Sequence, residues 1–168
     1  SGKTAIVTGA GRGIGRTIAE ALLRGGADVQ GFDWAVDNAS DLDFPIHKVD
    51  ISDGDSVTEL VNSLTTPPSL LVNNAGIAIT KPFLEMEEAD YDQVLDTNLK
   101  GCFLVGQAVA RRMTERGEGG SIINITSILS TEVMGQLSTY CASKGGLTQL
   151  TRGMALELAR AKIRVNAI

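Results

Sequence analysis

The chain has 168 residues, room for one domain with a single substantial core, and no linker, repeat or low-complexity tract divides it. Hydrophobic residues make up 43% and charged residues 21%, a globular balance that excludes a disordered chain. A net charge of −5 with no Lys/Arg run excludes a nucleic-acid surface, and no apolar stretch approaches the ~18 residues that span a bilayer.

The apolar pattern alternates short runs with longer helical segments. Thr4–Thr8 reads as a buried strand, Ile14–Arg24 as a helix and Asp28–Phe32 as a second strand. Ile46–Val49 is a third strand, followed by a helix that Ser52 or Asp53 would cap. Pro67-Pro68 stops that helix and leads into a fourth strand over Ser69–Asn73. Glu85–Asp96 and Leu99–Arg116 predict two helices or one broken one, stopped by Gly117, Gly119 and Gly120. A fifth strand at Ser121–Ile125, a long helix at Thr139–Arg160 and a sixth strand at Ile163–Ala167 complete the pattern. The alternation predicts one doubly wound α/β domain over 1–168, a parallel sheet between two helical layers.

Between the first strand and first helix runs Thr8-Gly9-Ala10-Gly11-Arg12-Gly13-Ile14-Gly15. Its glycines permit a tight turn and close backbone approach, and the helix N-terminus offers free N–H groups to a pyrophosphate. Asp33, about 20 residues on, stands where an acid can bond the adenosine ribose hydroxyls and repel a 2′-phosphate. That predicts NAD rather than NADP, although Arg12 could pair with the same phosphate.

Tyr140 and Lys144 are four residues apart on the long helix, so their side chains share one face. A cation beside a phenol favours the phenolate, which makes a tyrosine a usable acid/base. Cys102 and Cys141, without a CxxC pair or signal-like N-terminus, predict reduced thiols in a cytoplasmic protein. His47, the only histidine, supports neither a His triad nor a zinc site, so no metal is expected.

On these motifs the chain resembles the short-chain dehydrogenase/reductase family, a Rossmann-like group of oxidoreductases. The glycine turn fits its Thr-Gly-x-x-x-Gly-x-Gly pattern, Asn73-Asn74-Ala75-Gly76 its Asn-Asn-Ala-Gly, and Tyr140 with Lys144 its Tyr-x-x-x-Lys. The resemblance implies a catalytic set of Asn98, Ser127, Tyr140 and Lys144. Tyr140 would exchange a proton with the reacting oxygen, Ser127 would hydrogen-bond that oxygen, and Asn98 would hold a water beside Lys144. It implies cofactor contacts from Gly9, Arg12, Gly13, Ile14 and Gly15 in the turn, and from Asp33 after it. Asp50 and Ile51 would hold the adenine, Asn74, Ala75 and Gly76 would shape the pocket, and Tyr140 and Lys144 would face the nicotinamide end.

The implied reaction interconverts a small secondary alcohol and a ketone with NAD. Self-association into a homodimer or homotetramer would use the helices over Leu99–Arg116 and Thr139–Arg160. The link from Trp34 to Ile46 lacks an obvious helix, a feature similar to dihydrodiol-type dehydrogenases. The family continues beyond the equivalent of Ile168 into a substrate-covering loop and a final strand, so the chain is expected to be a shortened member. That keeps a second reading open: a dinucleotide-binding fragment, sensor or scaffold that does not catalyse.

Overall fold

A computed structural model describes residues 2–36 and 41–168. Six strands, β1 (Thr4–Thr8), β2 (Asp28–Asp33), β3 (Ile46–Lys48), β4 (Leu70–Asn73), β5 (Gly120–Asn124) and β6 (Ile163–Ala167), form one sheet. All neighbours pair in parallel, in the order β3-β2-β1-β4-β5-β6. The central strands are apolar runs without alternation because both faces are covered. Successive side chains point to opposite faces. Ile6 and Leu71 therefore join one core with Val57, Val61, Val105 and Val109, while Val7 and Val72 join another with Ala19, Val29 and Phe44.

Helix α1 (Gly13–Arg24) covers the second of these faces, and α2 (Gly54–Ser63) with the later helices covers the first. Of the two possible caps for α2, Asp53 is the one used: its carboxylate accepts from Asp55 N at 3.1 Å and Ser56 N at 3.3 Å. Gly117 ends the long helical segment at φ 75°, a left-handed stop that favours glycine. Among the described residues no helix is long and apolar enough to cross a membrane.

The expected interruption between the third and fourth helices takes the form of a π turn, not a loop. Helix α3 (Glu88–Leu95) runs through a π turn at Asp96–Lys100 straight into α4 (Gly101–Arg116). Gly101 N reaches back to Asp96 O, so the ladder accommodates an extra residue without a break. Helix α5 (Ser138–Leu158) then packs beside α4 and the π turn.

None of the described residues in the link from Trp34 to Pro45 is helical; the part of that expectation falling on residues 37–40 lies outside the described residues. Phe44 anchors the link by packing into the core beside Ala10 and Gly31. The chain winds from β1 out to β3, returns to β4 and winds the other way to β6. The carboxyl ends of β1 and β4 therefore flank a topological switch point, where open α/β sheets bind ligands.

Candidate active site

The glycine turn leaves β1 with Gly9 at φ 65°, a conformation open to glycine without strain. Arg12 is the residue preceding α1, but no side chain caps the helix and no acid lies in its first turn. Helix α2 by contrast carries both Asp53 as its cap and Asp55 in its first turn. An N-terminus left uncapped at a sheet switch point has free N–H groups and a positive dipole end, which suit a pyrophosphate.

Gly15 is set by close approach. A Cβ there would fall on the Gly9 carbonyl oxygen and 2.5 Å from Asn74 Nδ2. Gly15→Ala is therefore expected to force the turn open at a cost of about 2 kcal/mol. The matching fall in Tm is roughly 4–8 °C. Dinucleotide affinity should fall at least about tenfold as the cradle is displaced. Thermal melts and calorimetric titration of the variant check both.

Asp33 closes the other side of this turn. Its Oδ2 accepts from Gly11 N at 2.8 Å and its Oδ1 from Ala35 N at 3.1 Å. Both oxygens are thereby oriented, and each keeps a lone pair for an incoming hydroxyl. Asp50, exposed after β3, accepts from Ser52 N at 2.9 Å and Ser52 Oγ at 2.7 Å. Ile51 behaves differently: its side chain is core, 6% exposed, and lies against Gly101. Any contact from Ile51 to a ligand therefore falls to its main chain. Ile14, by contrast, is 67% exposed at the start of α1.

The Asn73–Gly76 segment divides its labour. Asn74 N and Ala75 N both donate to Thr8 Oγ1 at 3.0 Å, and Asn74 Nδ2 donates to Thr8 O at 3.0 Å. These bonds lace the ends of β1 and β4 together at the switch point. Asn73 turns the other way, under the site, donating to Asn124 Oδ1 at 2.9 Å and Cys102 O at 3.2 Å. Asn124 in turn donates to Thr151 Oγ1 at 2.8 Å. Thr8 opens the glycine motif, whereas Asn124 and Thr151 carry no motif that sequence reading would single out.

Beyond β4 the structure brings Tyr140, Lys144 and Asn98 together. Lys144 is 4% exposed; its Nζ donates to Ile125 O at 2.8 Å and stands 5.7 Å from the Tyr140 ring centroid. The ammonium thus faces the ring without hydrogen-bonding the phenol. Burial pushes the Lys144 pKa below the ordinary lysine value. Burial also pushes the nearby Cys102 thiol up to about 11, which leaves it protonated and unreactive.

Ser127, half-buried just after β5, caps a 3₁₀ turn at Ile128–Ser130 by accepting from Leu129 N at 3.1 Å. Accepting leaves its hydroxyl hydrogen to donate to an oxygen placed in the cleft.

Asn98 is wholly buried in the π turn. Its Oδ1 accepts from Ile77 N at 2.8 Å, and its Nδ2 donates to Ile77 O at 2.8 Å and to Ser143 Oγ at 3.0 Å. Both amide hydrogens are spent within the protein, so this side chain works first as a clamp. Ser143 lies inside the Tyr-x-x-x-Lys stretch, yet its contact with Asn98 is invisible to a reading confined to that motif.

Known proteins of similar sequence share this fold. A family model for short chain dehydrogenases matches residues 3–168. L-xylulose reductase of Mesocricetus auratus is 41% identical over 177 aligned residues, which cover 100% of this chain and 70% of that protein. A short-chain type dehydrogenase/reductase from Mycobacterium marinum superposes with a TM-score of 0.93 at 34% identity, over 99% of this chain and 71% of that one. Gluconate 5-dehydrogenase from Burkholderia cenocepacia J2315, solved with NADP and tartrate, gives a TM-score of 0.92 at 34% identity, covering 99% and 70%.

Proposed function

The chain belongs to the short-chain dehydrogenase family, and we propose that it interconverts a small secondary alcohol and a ketone using NAD, with Tyr140 as the acid/base. Membership makes it an oxidoreductase acting on CH–OH groups with a nicotinamide dinucleotide. The observation that carries the finer reading is Tyr140 beside the buried Lys144 on α5, a helix that packs against the 3₁₀ turn capped by Ser127.

The residues present fit the dinucleotide. The glycine turn and the first turn of α1 would hold the pyrophosphate, Asp33 the adenosine ribose, and the main chain at Asp50–Ile51 the adenine. Asn74, Ala75 and Gly76 would line the middle of the pocket, while Tyr140 and Lys144 would take the nicotinamide end. When bound, the nicotinamide ring supplies the hydride acceptor or donor. Tyr140 Oη takes the proton from the substrate hydroxyl in the oxidative direction and returns it to the carbonyl oxygen in the reductive one. Lys144 places a positive charge by the ring, which favours the phenolate. Ser127 Oγ donates to the reacting oxygen and holds it near Tyr140. Asn98 would support a water beside Lys144 through its main-chain carbonyl or the spare lone pair of Oδ1.

Self-association through α4 and α5 belongs to the same reading. A groove of about 430 Å³ between them is lined by Phe103, Gly106, Ala110, Met154 and Leu158, a mainly apolar surface suited to the same helices of a second copy.

The test follows near-ultraviolet absorbance of the reduced cofactor with the purified protein. Pentuloses, gluconate-type acids and simple secondary alcohols form the panel, since named relatives act on the first two classes. Turnover with NAD exceeding that with NADP is expected. Tight NAD binding with no turnover on any member would replace this reading with the non-catalytic sensor.

A further inference from the structure

We infer that Ser143 is a positioning residue: its hydroxyl joins the π turn to the first turn of α5 and so sets where the Tyr140 phenol stands. The inference rests on the oxidoreductase reading above for what that phenol does.

Ser143 is 0% exposed, and its Oγ has two partners on different elements. It accepts from Asn98 Nδ2 at 3.0 Å and donates to the main-chain carbonyl of Tyr140 at 2.7 Å. Asn98 uses its other N–H and its Oδ1 on both polar groups of Ile77. One continuous set of hydrogen bonds therefore runs from the loop after β4, through the π turn, to the residue that carries the phenol. Each link is directional, and burial strengthens it.

The apolar contacts beside it do not supply the same definition. Gly146 brings α5 close to Leu99, with a Cβ position only 3.0 Å from Leu99 Cδ2, but such a contact tolerates sliding along the helix. The same hydroxyl is tied to the turn that contains Tyr140, because it donates to that residue's carbonyl. Gly76 adds a constraint on the far side: a Cβ there would come 3.2 Å from Asn98 Oδ1 and 3.4 Å from Lys144 Nζ. Asn98, Ser143 and Lys144 are thus fitted around one another, and Ser143 is the member that grips α5 from within.

The experiment compares Ser143→Ala and Ser143→Cys with the wild type by hydrogen exchange and steady-state kinetics. In Ser143→Ala the amide of Ile77 and those of the first α5 turn should exchange about tenfold faster together, with β1 and β4 unaltered. Catalytic turnover should fall about tenfold with the cofactor KM within about twofold, as expected when a reacting group is displaced by less than 1 Å. The pH profile of kcat should shift as well. Ser143→Cys keeps a donor and an acceptor at the position but weakens both bonds, so it should move every readout in the same direction by less.

Faster exchange in α5 without Ile77, or an unchanged kcat in Ser143→Ala, overturns the inference. If the wild type turns over no substrate, the oxidoreductase reading falls whatever the exchange data say. If the wild type is active and Ser143→Ala matches it, this inference falls alone.

Discussion

Tyr140→Phe is expected to lower kcat by about 10³-fold, within the range of general acid/base contributions, while leaving NAD affinity within about twofold. That loss corresponds to about 4 kcal/mol of transition-state stabilisation. The substitution removes one oxygen and keeps the ring, so the contacts made by the half-buried aromatic face survive. Lys144 stays where it is, because its Nζ is held by Ile125 O at 2.8 Å rather than by the phenol. The fold should therefore be unaffected and the defect confined to proton transfer. Steady-state kinetics in both directions, with calorimetric NAD titration, separate the outcomes. A raised KM with unchanged kcat would assign Tyr140 to binding and remove it from the chemistry.

The electrostatic half of this argument depends on burial. An exposed ammonium would be screened by water, but Lys144 is 4% exposed and its field acts through protein. The cost is visible in its lowered pKa. For a group of this sign, stability rises with pH between the depressed folded pKa and the ordinary lysine value, because the unfolded chain binds the extra proton there. A site that accepts this cost gains a cation 5.7 Å from the ring of the residue proposed to ionise.

What was legible in the sequence was local. The glycine turn, the strands of continuous apolar character and the Tyr140–Lys144 spacing each encode their structure within a few residues. So does the Asp53 cap, which competed with Ser52 and won because its Oδ1 reaches two successive amides. The π turn was legible only as an interruption between Asp96 and Leu99, because one extra residue shifts the phase of a helix without showing how the ladder absorbs it. Its consequence is long-range: Asn98 meets Ser143 across 45 positions and Ile77 across 21. The support beneath the site is equally nonlocal, since Asn73, Asn124 and Thr151 link β4, β5 and α5. Ile51 shows the limit of carrying over a motif by position, because its side chain serves the core and leaves only main chain for a ligand.

Replacing Asp33 by serine is expected to change the preferred cofactor. The carboxylate is fixed by Gly11 N at 2.8 Å and Ala35 N at 3.1 Å, so it cannot swing away from a 2′-phosphate. Unit charges ~4 Å apart at an effective dielectric near 20 repel by about 4 kcal/mol, and Asp33's partial exposure reduces this. Losing about 1.4 kcal/mol of ribose bonding should lower kcat/KM for NAD about tenfold. Relief of repulsion should raise the NADP value by about 100-fold, moving the ratio by about 10³. A gain with NADP is the decisive part, since a turn merely loosened by losing the Gly11 bond would lose activity with both cofactors. A fall with both would mean that Asp33 matters for the shape of the turn and not for discrimination. Adding Arg12→Ala to Asp33→Ser then isolates the guanidinium. If Arg12 meets the phosphate, the double variant loses about tenfold of the new NADP activity and none of the NAD activity. The relative from Burkholderia cenocepacia was solved with NADP on the same fold, so the fold itself does not decide between the cofactors. On the proposed reading the choice would rest on the Asp33 carboxylate, held by two main-chain amides, against the exposed Arg12 guanidinium.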